Sequence, residues 1–296
     1  MKPINLRIIT RSFLTRSHLS TNAPSPPSQW SSLSSIIYTY PAIYRWSVML
    51  HHLSNTFLAK YKLPAQYSHR WSEIARKPRL CFRYPDMTIH TSRGALLEFL
   101  QSVRKNQPAV ICTNVDIRLD HIFLGKGARR MLRSSNAGGS SLLSEALSIE
   151  LLGRLFGMDL VKTETELVYR YSGPITDYAG RLPRLVATAA NTNTLGVSVT
   201  RAVAYKRRYT KEDATHLLKR KLQGILQSNE NIAFPKFNKQ ILHVWTESGA
   251  NAELVQRVCK KLSNDLRGNT IVLITTVNAS SVFFNNNSHL SFMNKP

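Results

Sequence analysis

Apolar positions follow one another so closely through residues 142–156 (LLSEALSIELLGRLF) that the segment predicts a mostly buried helix, closed by Gly157. Downstream the pattern turns to strands. Residues 165–171 (TELVYRY) and 175–178 (ITDY) read as two strands of a hairpin, with Ser172, Gly173 and Pro174 as the turn. After a long Ala-, Asn- and Thr-rich loop, residues 195–202 (LGVSVTRA) carry β-branched side chains at 197, 199 and 200 and predict a third strand. Thr210 with Asp213 makes a capping signature for a helix to Ile225 that bears Leu217, Leu218 and Leu222. A strand at 240–245, a helix at 252–262 and a strand at 270–277 complete the series, and the Asn-rich end from Asn285 is expected to fray. The order is helix, three strands, helix, strand, helix, strand. Such an order predicts an α/β fold, a mixed sheet with helices on its faces.

Upstream the alternation is shorter. Thr91 or Ser92 is placed to cap a helix carrying Leu96, Leu97, Leu100 and Val103, and residues 109–112 read as a buried strand, so residues 71–135 predict a small α/β lobe. SNAGGS at 135–140 marks a boundary between this region and a domain at 140–280. Residues 36–70 are aromatic and basic, a composition that suits packing better than base stacking, and together 36–135 form a basic N-terminal region. Residues 20–35 (STNAPSPPSQWSSLSS) bury too little apolar surface to repay their ordering and predict a linker. Within residues 1–20, Arg7, Arg11 and Arg16 interleave with Ile4, Leu6, Ile8, Ile9, Phe13 and Leu14 without an acid, the composition of a mitochondrial transit peptide. That predicts import into the mitochondrial matrix.

Charge sharpens the picture. The chain of 296 residues carries 40 Lys and Arg against 17 Asp and Glu, a net +23, which predicts a polyanionic partner. The excess is uneven, with 20 basic and 5 acidic residues up to position 135 and 20 against 12 beyond it. DNA or RNA is the leading partner; anionic membrane and acidic protein are the other classes that composition allows. The longest apolar run, residues 36–50, is interrupted by Pro41 and Arg45, so no integral membrane segment is expected. Cys81, Cys112 and Cys259 lie far apart without CxxC spacing, which argues against a structural zinc site and against a disulfide framework. GKGARR at 125–130 lacks P-loop spacing.

Candidate chemistry rests on carboxylates. Asp177 falls at a strand end just past a turn, and Glu145 on the preceding helix; two such groups can hold a hard divalent cation, Mg²⁺ or Mn²⁺, through oxygen ligands. The competing reading makes Asp177 an Asx turn and Glu145 a solvated side chain. The YKRRYTK stretch at 205–211, with Lys206, Arg207, Arg208 and Lys211, and the basic helix face with Lys219 and Lys221 are candidates for phosphate-backbone binding. His243, between Ile241 and Trp245, reads as a core histidine, and Ser140 and Ser141 do not sit in a GxSxG elbow.

Glutamate on the first helix, ITDY on the second strand and GVSVTRA on the third resemble the core of the PD-(D/E)XK, restriction-endonuclease-like superfamily, over about half the chain. The resemblance implies that Glu145 (with Glu150 as the substitute) and Asp177 bind Mg²⁺ for phosphodiester hydrolysis. It also implies an acid, a spacer and a lysine on the third strand, where this sequence has Ser198-Val199-Thr200 or Val199-Thr200-Arg201 and no acid from 180 to 211. Three accounts follow. Ser198 or a backbone carbonyl replaces the acid; Lys206, Lys219 or Lys221 replaces the lysine; or the fold is catalytically degenerate and serves as a nucleic-acid-binding or ribonucleoprotein assembly factor. Arg201 can stabilise phosphate charge but, always protonated, cannot act as a base.

Overall fold

A computed structural model describes residues 79–119, 122–134, 141–183, 193–237, 239–279 and 282–283. The transit-peptide, linker and aromatic segments up to residue 78, and the Asn-rich end, lie outside them. In chain order the elements are β1 (Arg79–Arg83), β2 (Met87–Ser92), α1 (Arg93–Lys105), β3 (Ala109–Ile117), α2 (Lys126–Arg133), α3 (Leu142–Phe156), β4 (Asp159–Thr163), a 3₁₀ turn (Glu164–Glu166), β5 (Val168–Tyr169), β6 (Tyr178–Arg181), β7 (Thr194–Ala202), α4 (Lys211–Asn231), β8 (Ile232–Phe234), β9 (Gln240–Thr246), α5 (Gly249–Lys261), α6 (Asn264–Arg267) and β10 (Ile271–Val277).

Eight strands form one mixed sheet in the order β1-β2-β3-β10-β9-β7-β6-β4. β7, β9, β10 and β3 are mutually parallel, while β6 runs antiparallel to both β7 and β4. The parallel centre explains its own composition: a strand covered on both faces has little use for polar alternation, and all seven residues of β9 (QILHVWT) are buried. Val197, Val199, Ile241, Trp245, Ile271 and Leu273 meet α1 and α3 on one face. Leu242, Val244, Val272 and Ile274 meet α4 and α5 on the other. The first three strands belong to the same sheet as the rest, because β3 pairs along its length with β10.

Helix signals translate directly. The Ser92 hydroxyl accepts from Ala95 N at 3.0 Å to start α1, and Thr210 and Asp213 form a reciprocal capping box at the start of α4. Gly157 closes α3 in the left-handed conformation (φ 63°), which a residue without Cβ adopts without strain.

The predicted hairpin takes a different form. The strand antiparallel to β6 is β4, immediately after Gly157, and residues 165–171 do not pair with 175–178. Thr163 to Glu166 (TETE) instead makes a capping turn in which the Glu166 carboxylate accepts from Thr163 N at 2.8 Å, a local bond that competes with the strand ladder. β5 then joins β8 in a separate two-stranded sheet.

One buried ion network fastens α3 to the edge of the fold. Arg154 donates Nη1 and Nη2 to the Asp86 carboxylate at 2.7 and 2.8 Å, Nε to Glu150 at 2.7 Å and Nη2 to the Phe123 carbonyl at 2.8 Å. Glu150 also accepts from Gly125 N at 2.6 Å. Removing one partner strands the others as buried charges, so Arg154→Leu should cost about 3 kcal/mol in denaturant unfolding. A loss below about 1 kcal/mol would contradict the network's role.

Candidate functional site

The first turn of α3 is held from three sides. Trp245 Nε1 donates to the Ser144 carbonyl at 3.1 Å, the Ser148 hydroxyl bonds Tyr178 Oη at 2.8 Å, and His243 Nδ1 bonds Ser148 at 2.7 Å. The pins sit one residue before Glu145 and three after it. The fully buried His243 is a core histidine, as its sequence position predicts. Burial lowers its pKa to about 3, and Nε2 bonds Thr275 Oγ1 at 2.9 Å, so it stays neutral.

Glu145 is 3% exposed, inside the protein on the first turn of α3. Asp177, the residue before β6, lies close enough for its charge to act on Glu145, and its Oδ2 accepts from Val199 N on β7. Burial, reinforced by the facing Asp177 charge, pushes Glu145 up to about 7, while the Ser141 hydroxyl and Lys221 pull it back. Burial likewise pushes Asp177 up to about 6 against the opposing pull of Lys221 and the Val199 N–H. Two carboxylates from separate elements, one buried and one half-buried, therefore act on one another where charge is costly, an arrangement that favours a cation.

Sequence reasoning missed Glu164. In the 3₁₀ turn after β4, its charge acts on both Glu145 and Asp177. The T-x-x-E capping signature at 163–166 was the available signal. Gln240 was also unanticipated: fully buried, it takes Ser198 Oγ (3.4 Å) and Thr176 Oγ1 (3.2 Å) on Oε1 and donates Nε2 to Ser228 Oγ at 2.6 Å.

The remaining sequence candidates disperse. Ser198 is buried and turned toward Gln240 rather than the carboxylates. Glu150 is bound to Arg154 and Gly125, so Glu145 is the α3 acid that meets Asp177. Arg201 feels the Glu145 charge and donates Nη1 to the Phe283 carbonyl at 3.1 Å. Arg207 is engaged with Asp213 at 2.5 and 2.8 Å, reinforcing the α4 cap. Lys206 Nζ lies 5.1 Å from the Tyr205 ring centre, and Arg208 borders the same loop. Lys211 and Lys219 are exposed on α4, whereas Lys221, half-buried, acts on both carboxylates.

Among the described residues no group of three or more His, Cys, Asp or Glu side chains lies within metal-ligand reach. No helix among them is long and apolar enough to cross a membrane.

No family model matches the chain, and no solved structure matches it. Over 239 residues it is 34% identical to the AAC-rich mRNA clone AAC4 protein of Dictyostelium discoideum, a match that takes in 75% of this chain. The chain spans about a third of that relative's length, 33%, and the relative's name states no activity.

Proposed function

We propose that this chain binds nucleic acid and that Glu145 and Asp177 are the divalent-cation ligands of a restriction-endonuclease-like phosphodiesterase acting in the mitochondrial matrix. The observation that carries the reading is the pairing of a buried carboxylate on α3 with a half-buried one just before the reversed strand β6, both raised in pKa. The strand order β4-β6-β7-β9-β10, in chain order with β6 alone reversed, supports the same core.

The donor set suits Mg²⁺ or Mn²⁺. Two carboxylates supply hard oxygen ligands, and Mg²⁺ ordinarily keeps several waters besides one or two carboxylates. When bound, the ion supplies an acidified water and charge stabilisation at phosphorus. The chain's own residues do the rest. Val199 N–H orients Asp177, the Ser148–Tyr178 bond orients α3 against β6, and Lys221 supplies the cation that the third strand lacks. The net +23 draws the polyanion to the site.

A non-catalytic reading has its own observation. Arg201 and Lys221 both act on Glu145, and two resident cations can neutralise the carboxylates without a metal. The fold then serves as a nucleic-acid-binding or assembly factor.

The full chain, incubated with end-labelled single- and double-stranded DNA and RNA in Mg²⁺, Mn²⁺ or EDTA, separates the two. Metal-dependent products are expected. Binding without cleavage under every condition supports the non-catalytic reading, and absence of binding overturns both. Uptake into isolated mitochondria with loss of a short N-terminal fragment tests the location.

A further inference from the structure

Helix α2 carries a charge arrangement that works against its own stability. Ala128 and Met131 are buried against the core, while Lys126, Arg129, Arg130 and Arg133 all stand on the exposed side. Like charges at spacings of three and four residues repel, and Lys126 opens the helix at its positive end with no acid in the first turn. Among the described residues only Arg130 is compensated by an acid, donating Nη2 to both Glu166 oxygens at 2.6 Å and Nη1 to the Val161 carbonyl at 3.2 Å. No acidic side chain pairs with Lys126, Arg129 or Arg133 among the described residues. The four cations and Ser134 line an open concavity of about 640 Å³.

The helix is nevertheless held firmly in place. A Cβ on Gly127 would meet Ile149 Cγ2 and Leu160 Cβ at 3.1 Å each, so α2 lies directly against α3 and β4. Just before it, Phe123 is 69% exposed although its backbone is clamped, N–H to Asp86 Oδ2 at 2.8 Å and carbonyl to Arg154 Nη2 at 2.8 Å. A clamped backbone thus displays an aromatic ring to solvent three residues before the start of that basic helix. Aromatic faces stack on bases while cations track phosphates, the combination by which proteins hold single strands. From Lys126 to Arg133 the helix axis advances about 10 Å. That length suits contacts to a few successive phosphates of one strand.

We infer that Phe123 and the Lys126, Arg129 and Arg133 face of α2 form a second binding surface, separate from the carboxylate pair, for the sugar-phosphate backbone and a stacked base of single-stranded nucleic acid. Arg130 ties this surface to the candidate active site, since its partner Glu166 sits in the same 3₁₀ turn as Glu164, whose charge reaches Glu145 and Asp177. A strand lying on α2 thus sits beside the 3₁₀ turn whose Glu164 acts on both carboxylates. The inference rests on the nucleic-acid reading above and names the strandedness and the path of its ligand.

The test uses the full chain in EDTA with fluorescent dT12 and U12 strands, a matching duplex, and phosphatidylcholine vesicles containing phosphatidylserine. The K126Q/R129Q/R133Q variant should bind the single strands about a hundredfold more weakly, with the slope of log K against log salt reduced by about 2. Phe123→Ala should weaken single-strand binding about tenfold without changing the slope. A triple variant with wild-type affinity and slope overturns the inference, as does a Phe123→Ala loss equal for duplex and single strand, or a triple variant that loses vesicle binding alone. Wild-type protein that binds no oligonucleotide removes the underlying reading as well. Oligonucleotide binding by the wild type that the triple variant fully retains removes only the α2 surface.

Discussion

Replacing Asp177 with Asn should lower metal-dependent cleavage at least a thousandfold and, at pH 8 without metal, raise the melting temperature. The first effect follows from the loss of an anionic ligand beside Glu145. The second follows from linkage. Asp177 titrates near 6 in the folded chain and near 3.8 unfolded, so between those values the unfolded chain gives up its proton first. The folded state is therefore destabilised progressively as pH rises from about 4 to 6, and the cost is fully present above that window. Glu145, at about 7 against 4.5, adds a cost of the same sign over a slightly higher range. Asn retains an oxygen to accept from Val199 N–H and carries no charge, so it removes the penalty and keeps the bond. One pKa unit corresponds to about 1.4 kcal/mol, and partial exposure of Asp177 discounts the gain to about 1–2 kcal/mol, a few degrees in a domain of this size.

Metal supplies the cross-check. Mg²⁺ at pH 8 should stabilise the wild-type chain by binding the folded state, and Asp177→Asn should abolish that increment. Thermal unfolding of both proteins at pH 5 and pH 8, with and without 10 mM Mg²⁺, reads every term. Equal melting temperatures under all four conditions would mean that the two carboxylates neither repel one another nor share a cation.

The sequence made the frame legible where local chemistry and tertiary packing agree. The bounds of α3 and the Gly157 stop were readable because a dense apolar run ends at a residue that tolerates positive φ. β7, β9 and β10 were readable because parallel strands buried on both faces are necessarily apolar. Where the signals conflict, reading failed. β4 (DLVKT) is only partly buried and so lacked a strand signature, while TELVYRY has strand-forming residues but begins inside the 3₁₀ turn capped from Thr163. Glu164 escaped notice because it falls just outside that expected strand, in a turn that only the Thr163–Glu166 capping signature marks. The choice between Glu145 and Glu150 also needed three dimensions. Both are buried on one helix, and only the placement of Arg154 and Gly125 shows which of them is engaged elsewhere. Site and scaffold were thus separable only through long-range partners.

Lys221→Met should lower cleavage by about a thousandfold while leaving oligonucleotide affinity within about twofold, which makes it the counterpart of the Asp177 experiment. The distinction from its neighbours is positional. Lys219 and Arg220 project into solvent from α4, but Lys221, half-buried, pulls both carboxylates toward their charged forms. Without it Glu145 and Asp177 should rise further, shifting the acid limb of the pH–rate profile upward in whatever activity survives. Lys219→Met should instead leave the rate constant alone and reduce the salt slope of binding by about 0.7–0.9, the contribution of one phosphate contact. Lys221→Arg separates two roles, because arginine keeps the charge but cannot give up a proton. Cleavage restored by arginine assigns Lys221 to charge stabilisation, and cleavage lost in both variants assigns it to proton transfer. Wild-type rates in Lys221→Met would exclude it from the reaction. Lys206 is a poor substitute, since its ammonium rests over Tyr205 in the exposed loop, so the remaining positive group near Glu145 would be Arg201. Such a site could neutralise a phosphate but not deprotonate a nucleophile, and this outcome would move the chain toward the non-catalytic reading.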